Sequence, residues 1–283
     1  MRRLIPSSLL LLLLSAPASA YPKFWVMDDL TPSGSAGADV VIGNLEVSLD
    51  PLDPDDDSQV ILFEPAAAFM VAPNVKLNFA LPLGFAFYEL LGNDDESSGY
   101  LGNLQLGAMF LSSTRGRSAD TTFGGGISFS GITASDEDDE LIGAGLATLF
   151  TALRDFGKYA PNTNTLRLHG GIRADLDRIF FQGELGLHLF FYDDDTADDD
   201  DGALRIGLGF GAFITPSLAF LAEITNTTFI LDDNADDEFY HVLDLGIRSE
   251  TGASSFSVRL LAPLDDEGGP DALGVGLDFL SRF

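Results

Sequence analysis

From about residue 38 to the C-terminus, apolar residues alternate with small or polar ones in runs of roughly ten. Turn-forming residues close each run. The last run is the clearest: Leu273, Val275, Leu277, Phe279 and Phe283 share one parity, while Ala272, Gly274, Gly276, Asp278 and Arg282 share the other. Successive strand side chains point to opposite faces, so one face is apolar and the other small or charged. The same division recurs at Phe256, Val258 and Leu260 against Ser255, Ser257 and Arg259. It recurs again at Leu204, Ile206, Leu208 and Phe210 against Arg205, Gly207, Gly209 and Gly211.

A soluble sandwich would carry many charges on its outer face. Here the polar face is rich in glycine, with one or two charges per strand, which suits a crowded barrel interior. The apolar face is then left to meet lipid, and closure leaves no unpaired backbone edge in a bilayer. The expected fold is all-β: a closed antiparallel transmembrane β-barrel of about twelve strands. Their approximate spans are 38–49, 59–70, 75–88, 100–112, 120–131, 165–175, 179–192, 203–214, 217–230, 239–250, 254–263 and 271–283.

The connections follow the same logic. Every second one is acidic: Asp50 to Asp57, Asp94 to Glu96, Asp136 to Glu140, Asp193 to Asp201, Asp232 to Glu238 and Asp265 to Asp271. They hold most of the 44 Asp and Glu, so the formal charge of −29 is chiefly a loop property. The intervening connections are short. Short turns on one rim and longer loops on the other is the layout of outer-membrane barrels. Leu141 to Tyr159 breaks the alternation, with Leu141, Leu146, Leu149, Leu153 and Phe156 nearer helical spacing. It is expected to form a short helix in the third extracellular loop, with an extra strand pair as the rival.

The N-terminus places the chain outside the cytoplasm. Arg2 and Arg3, the apolar stretch Leu4 to Leu14 and Ala18-Ser19-Ala20 read as an export leader over residues 1–20. Residues 21–37 are expected to be a periplasmic segment or partial plug, and 38–283 the barrel. The sequence holds no cysteine, which leaves out disulfides and thiol chemistry.

At the last strand, Phe283 preceded by Phe279, Leu277 and Val275 resembles the assembly signal of bacterial outer-membrane proteins, although Ser281 departs from it. Tyr100 to Gly107 (YLGNLQLG) resembles a recurrent stretch in outer-membrane transporters assigned to phenol degradation. These resemblances imply a porin-like barrel, recognition by the outer-membrane assembly machinery, and passive transfer of small solutes.

By parity, the lumen-lining charges are Arg167, Arg173, Glu184, Arg205, Glu223, Asp244, Arg248, Arg259, Asp278 and Arg282. They either pair across neighbouring strands or line a solute path. The excess of arginine predicts an anion-tolerant lumen beneath an acidic mouth. Asp193, Asp195, Asp198 and Asp200 are candidate ligands for a weakly held calcium ion, since calcium prefers carboxylate oxygens, but no EF-hand spacing is present. No other cofactor is expected.

His169, His188 and His241 are too scattered for a metal site, and His241 is followed at the second position by Leu243, not the serine of barrel phospholipases. An enzyme is therefore not expected. The expected partners are outer-membrane lipid and lipopolysaccharide, the assembly machinery and a small solute, with no nucleic acid. The expected function is an outer-membrane channel or passive transporter. The rival is a plugged structural or surface-interaction barrel with acidic, cation-binding loops.

Overall fold

The computed structural model describes residues 23–25, 27–45, 58–88, 96–131, 133, 144–147, 156–160, 162–192, 201–230, 239–264 and 272–283. Fourteen strand segments form one sheet: β1 (Ser35–Leu45), β2 (Ser58–Ala72), β3 (Val75–Ala80), β4 (Leu83–Tyr88), β5 (Glu96–Leu101), β6 (Leu104–Arg115), β7 (Asp120–Gly131), β8 (Thr163–Leu176), β9 (Ile179–Tyr192), β10 (Asp201–Thr215), β11 (Leu218–Phe229), β12 (Phe239–Thr251), β13 (Ser254–Pro263) and β14 (Ala272–Arg282). Every pairing is antiparallel, and β1 pairs with both β2 and β14, which closes the barrel.

The fourteen segments make twelve staves. β3 and β4 both pair with β2 and are two halves of one stave, as are β5 and β6 of the next. The first break falls at Leu81-Pro82, where proline has no N–H to give to a ladder. The second falls at Gly102-Asn103. Across it the inward parity shifts by one: Ser98 and Tyr100 face in before it, and Met109 and Leu111 after it. One added residue in a strand has this effect. The stretch Tyr100 to Gly107 thus spans an interruption in the wall.

The expected alternation holds along the staves. Phe85, Phe110, Leu185, Leu208, Leu260, Leu273 and Phe279 are exposed on the outer surface, whereas Arg248, Arg259, Asp244 and Glu223 are buried inside. An apolar belt outside and ion pairs inside invert the pattern of a soluble protein and match a sheet whose outer solvent is hydrocarbon. The β8–β9 turn is two residues long and places Asp177 at φ 52°, a left-handed conformation that aspartate tolerates. The described connections on that rim are all short.

Candidate functional site: the barrel lumen

The inward charges of the C-terminal staves form a ladder of ion pairs. Arg173 Nε lies 2.8 Å from Asp175, Arg282 lies 3.1 Å from Glu250, and Arg248 pairs with Asp278. Arg259 meets both oxygens of Asp39, at 2.9 and 2.5 Å, and Asp244 at 3.1 Å. Arg167 pairs with Glu184 and, at 3.2 Å, with Asp28, while Arg205 lies 3.6 Å from Glu184. All ten residues expected to line the lumen lie on the inner face; nine of them make these ion pairs, and Glu223 accepts backbone N–H groups. Arg167–Glu184, Arg205–Glu184 and Arg259–Asp244 join neighbouring staves, Arg248–Asp278, Arg282–Glu250 and Arg259–Asp39 reach across one, and Arg173–Asp175 lies within β8, all at the cost of desolvating both ions.

The basic excess expected from the sequence is not present among the described residues. Asp28, Asp29, Asp39, Glu64, Asp175 and Glu250 also face the interior and offset it, even with Lys76 and Lys158 added to the basic side. Parity could have found Asp175 and Glu250, which share a face with Arg173 and Arg248. Asp28 and Asp29 could not be found in this way, because they precede the first strand.

Those two residues belong to a strap, described at residues 23–25 and 27–34, that crosses the lumen. Its main chain is held by wall side chains. The N–H groups of Trp25 and Met27 donate to the two oxygens of Glu223, each at 2.9 Å. The Asp28 N–H donates to Glu184 at 2.7 Å, and Gln182 Nε2 donates to the Asp28 carbonyl at 2.8 Å. Lys76 Nζ donates to the Asp29 carbonyl at 2.7 Å, the Asp29 carboxylate at 2.9 Å and the Thr31 carbonyl at 3.0 Å. The Asp28 carboxylate also contacts His169.

Side chains of the strap sit in notches where the wall has glycine. Phe24 lies over Gly209, Met27 over Gly207, and Leu30 over Gly124 and Gly171. Two of the alternating glycines of β10, Gly207 and Gly209, thus make room for the strap, and the third, Gly211, makes room for Phe180. Phe24 also packs on Phe180 at 5.5 Å between centroids, with the Arg173 guanidinium 4.8 Å from the Phe180 ring. Trp25 donates from Nε1 to Ser257 at 2.8 Å, and Arg259 lies 5.6 Å from its ring.

The electrostatics of the strap follow from these contacts. Burial opposes ionisation of Asp28, but Arg167 and the hydrogen bond from His169 outweigh it and hold its carboxyl well below the usual range. Burial likewise opposes ionisation of Asp29, and Lys76, Arg282 and Lys23 outweigh it. Both carboxylates are therefore ionised in place.

Toward the other rim, the described residues of the third loop pack against the inner wall. Residues 144–147 form the expected short helical turn. Ala144, Leu146 and Ala147 are buried against Val60, Tyr88, Tyr100, Val242 and Leu261 of the inner wall. The returning segment, with a 3-10 turn at Phe156–Lys158, is tied into the wall break. Asn103 Nδ2 donates to the carbonyls of Gly157, Ala160 and Thr163 at 3.0, 2.8 and 3.1 Å. Lys158 pairs with Glu64 at 2.8 Å.

Between strap and third loop, on the β1, β2, β3 and β6 side, lies a cavity of about 200 Å³. Its wall is made of small inward residues (Gly37, Ala66, Ala68, Ala80 and Gly107) with Asn78 and Gln105 among them. The N-terminal staves leave space that the charged C-terminal staves fill.

Among the described histidines, His169 and His188 are in the interior, and His241 meets Asn226 at 3.0 Å. No group of three or more metal-ligating side chains occurs among the described residues. Asp193, Asp195, Asp198 and Asp200 lie outside the described residues, as does the expected leader.

No protein-family model and no curated protein matches the chain. Its structure is similar to an outer-membrane channel from Pseudomonas putida F1, at TM-score 0.66 and 12% identity, covering 94% of this chain and 100% of the other. It is also similar to the translocator domain of an autotransporter, NalP, from Neisseria meningitidis, at TM-score 0.51 and 10% identity, covering 89% of each. The chain has the porin-like barrel fold of outer-membrane proteins.

Proposed function

We propose that the protein is an outer-membrane channel or passive transporter for small solutes, in a state narrowed by the strap and the third loop. The observation that carries this reading is the cavity beside the strap. A wall of glycine and alanine keeps it open, and no disulfide ties the strap that bounds it to the wall, so its movement breaks only non-covalent contacts. The apolar belt supports residence in a bilayer, and the similarity to an outer-membrane channel supports the same reading through the fold.

On this reading both termini lie on the periplasmic side, with the short turns. The acidic loops face outward and share divalent cations with lipopolysaccharide phosphates, the cluster at Asp193, Asp195, Asp198 and Asp200 being the densest. Balanced interior charge favours neither ion sign strongly, so selectivity is set at the acidic mouth and favours cations.

The plugged structural barrel is the second reading, and the number of hydrogen bonds holding the strap favours it. Planar-bilayer recording separates the two. The channel reading expects small conductance steps from the wild-type protein and larger ones from Glu223→Gln, which weakens the acceptor for two strap N–H groups. Silence from both proteins, with the heat-modifiable gel migration of a closed barrel intact, would leave the plugged barrel standing.

A further inference from the structure

The lumen grips the strap by its main chain. Glu223 and Glu184 accept three backbone N–H groups, from Trp25, Met27 and Asp28. Gln182 and Lys76 donate to three backbone carbonyls, of Asp28, Asp29 and Thr31. These contacts are open to any residue type except proline at the donor positions. Side-chain selectivity is coarse by comparison, consisting of glycine-floored notches that take Phe24, Met27 and Leu30. Carboxylates aimed at amide N–H groups, an ammonium aimed at carbonyls and apolar notches between them make a receptor for a peptide main chain. A simple plug needs only bulk and apolar packing, and would not require two buried carboxylates and a buried lysine pointed at backbone atoms.

We infer that the barrel interior is a binding site for a short oligopeptide, which the strap occupies in cis and a peptide solute takes over by displacing it. The preferred peptide carries large apolar side chains at the spacing of Phe24, Met27 and Leu30, with an acidic residue at the place of Asp28 to meet Arg167 and His169. This deepens the channel reading and rests on it for the statement that the bound peptide is a solute. Recognition itself is separable from conduction.

The test uses the full-length chain refolded in detergent. Trp25 is its only tryptophan and is buried in the docked strap, so its emission reports strap position directly. A synthetic peptide of residues 22–33 with phenylalanine in place of Trp25 is titrated in. A second peptide is identical except for N-methyl groups at the amides of positions 25 and 27, which removes the two donors to Glu223. Because the strap competes intramolecularly, at an effective concentration of order millimolar, the titration runs to about 10 mM. It is repeated on Phe24→Ala, whose strap is weakened.

The expected result is a saturable red shift with the first peptide, at least about tenfold lower concentrations being needed for Phe24→Ala, and at least about tenfold weaker action by the methylated peptide. Equal action by both peptides, or no shift with either in both proteins, overturns the proposal. Ion current through the same preparations distinguishes the two readings. Displacement of the strap without any current upholds peptide recognition and removes the channel, whereas current that increases in Phe24→Ala but ignores the peptide removes recognition and upholds the channel.

Discussion

The ring of Phe24 occupies the space that a side chain at position 209 would need, since a Cβ on Gly209 would lie 2.6 Å from the nearest ring carbon. The two residues are far apart in sequence and belong to different parts of the molecule, one to the strap and one to the wall. Their contact shows that the wall is shaped for the strap, because glycine is the one residue that allows so close an approach.

Gly209→Val should therefore expel Phe24, with an overpacking cost of about 1–3 kcal/mol borne by strap docking. Trp25 emission should move to the red and conductance should rise. Gly207→Ala is the control, since its Cβ would meet the flexible end of Met27 at 3.4 Å and should leave both readings nearly unchanged. Equal behaviour of the two variants would mean that the notches do not position the strap.

Lys76 is fully buried and makes three contacts to the strap. Lys76→Met keeps the length of the side chain and removes its charge, leaving the Asp29 carboxylate without its ammonium. Breaking one side of a buried pair costs about 3–5 kcal/mol. The temperature at which Trp25 emission shifts should fall markedly, while the heat-modifiable migration of the barrel is kept. Parallel loss of both would indicate that Lys76 serves the wall and not the strap.

The docked carboxyl of Asp29 titrates below its ordinary value of 3.8. A depressed carboxyl contributes stability that is present above the undocked value and is lost as the pH falls through the docked one. The difference in strap-release temperature between wild type and Asp29→Asn should thus be constant from about pH 8 to 5. It should shrink only at pH below the ordinary carboxylate range. A difference that narrows between pH 7 and 6 would assign the effect to another group.

Asn103 ties the return of the third loop into the wall break through three carbonyls. Asn103→Ala leaves those carbonyls without their donor, at about 1–3 kcal/mol. Single-channel current should become noisier and the third loop more sensitive to protease. Trp25 emission should stay unchanged, because the strap and the loop make separate contacts.

Much of this fold is legible in the chain because the underlying rule is local. In a strand the face of a side chain depends only on whether its number is odd or even, so Arg173, Arg248 and Arg259 can be assigned to the interior without knowing their neighbours. The positions of the turns follow from the breaks in that alternation, and twelve staves emerge once the halves at Pro82 and Gly102 are joined. The short helix at 144–147 is legible for the complementary reason, since it stands where the two-residue period stops.

The strap is different. Phe24, Trp25, Met27 and Leu30 have no period to read, and their burial depends on notches and carboxylates brought together from β3, β6 to β11 and β13. The same holds for the ion pairs, where parity names the charges but only strand register decides that Arg259 meets Asp39 and Asp244. The alternating sequence by itself determined a closed barrel with an apolar outside and a charged inside. Only the tertiary structure decided that this inside is already occupied, because occupancy is a contact between segments that the chain closes on itself to bring together.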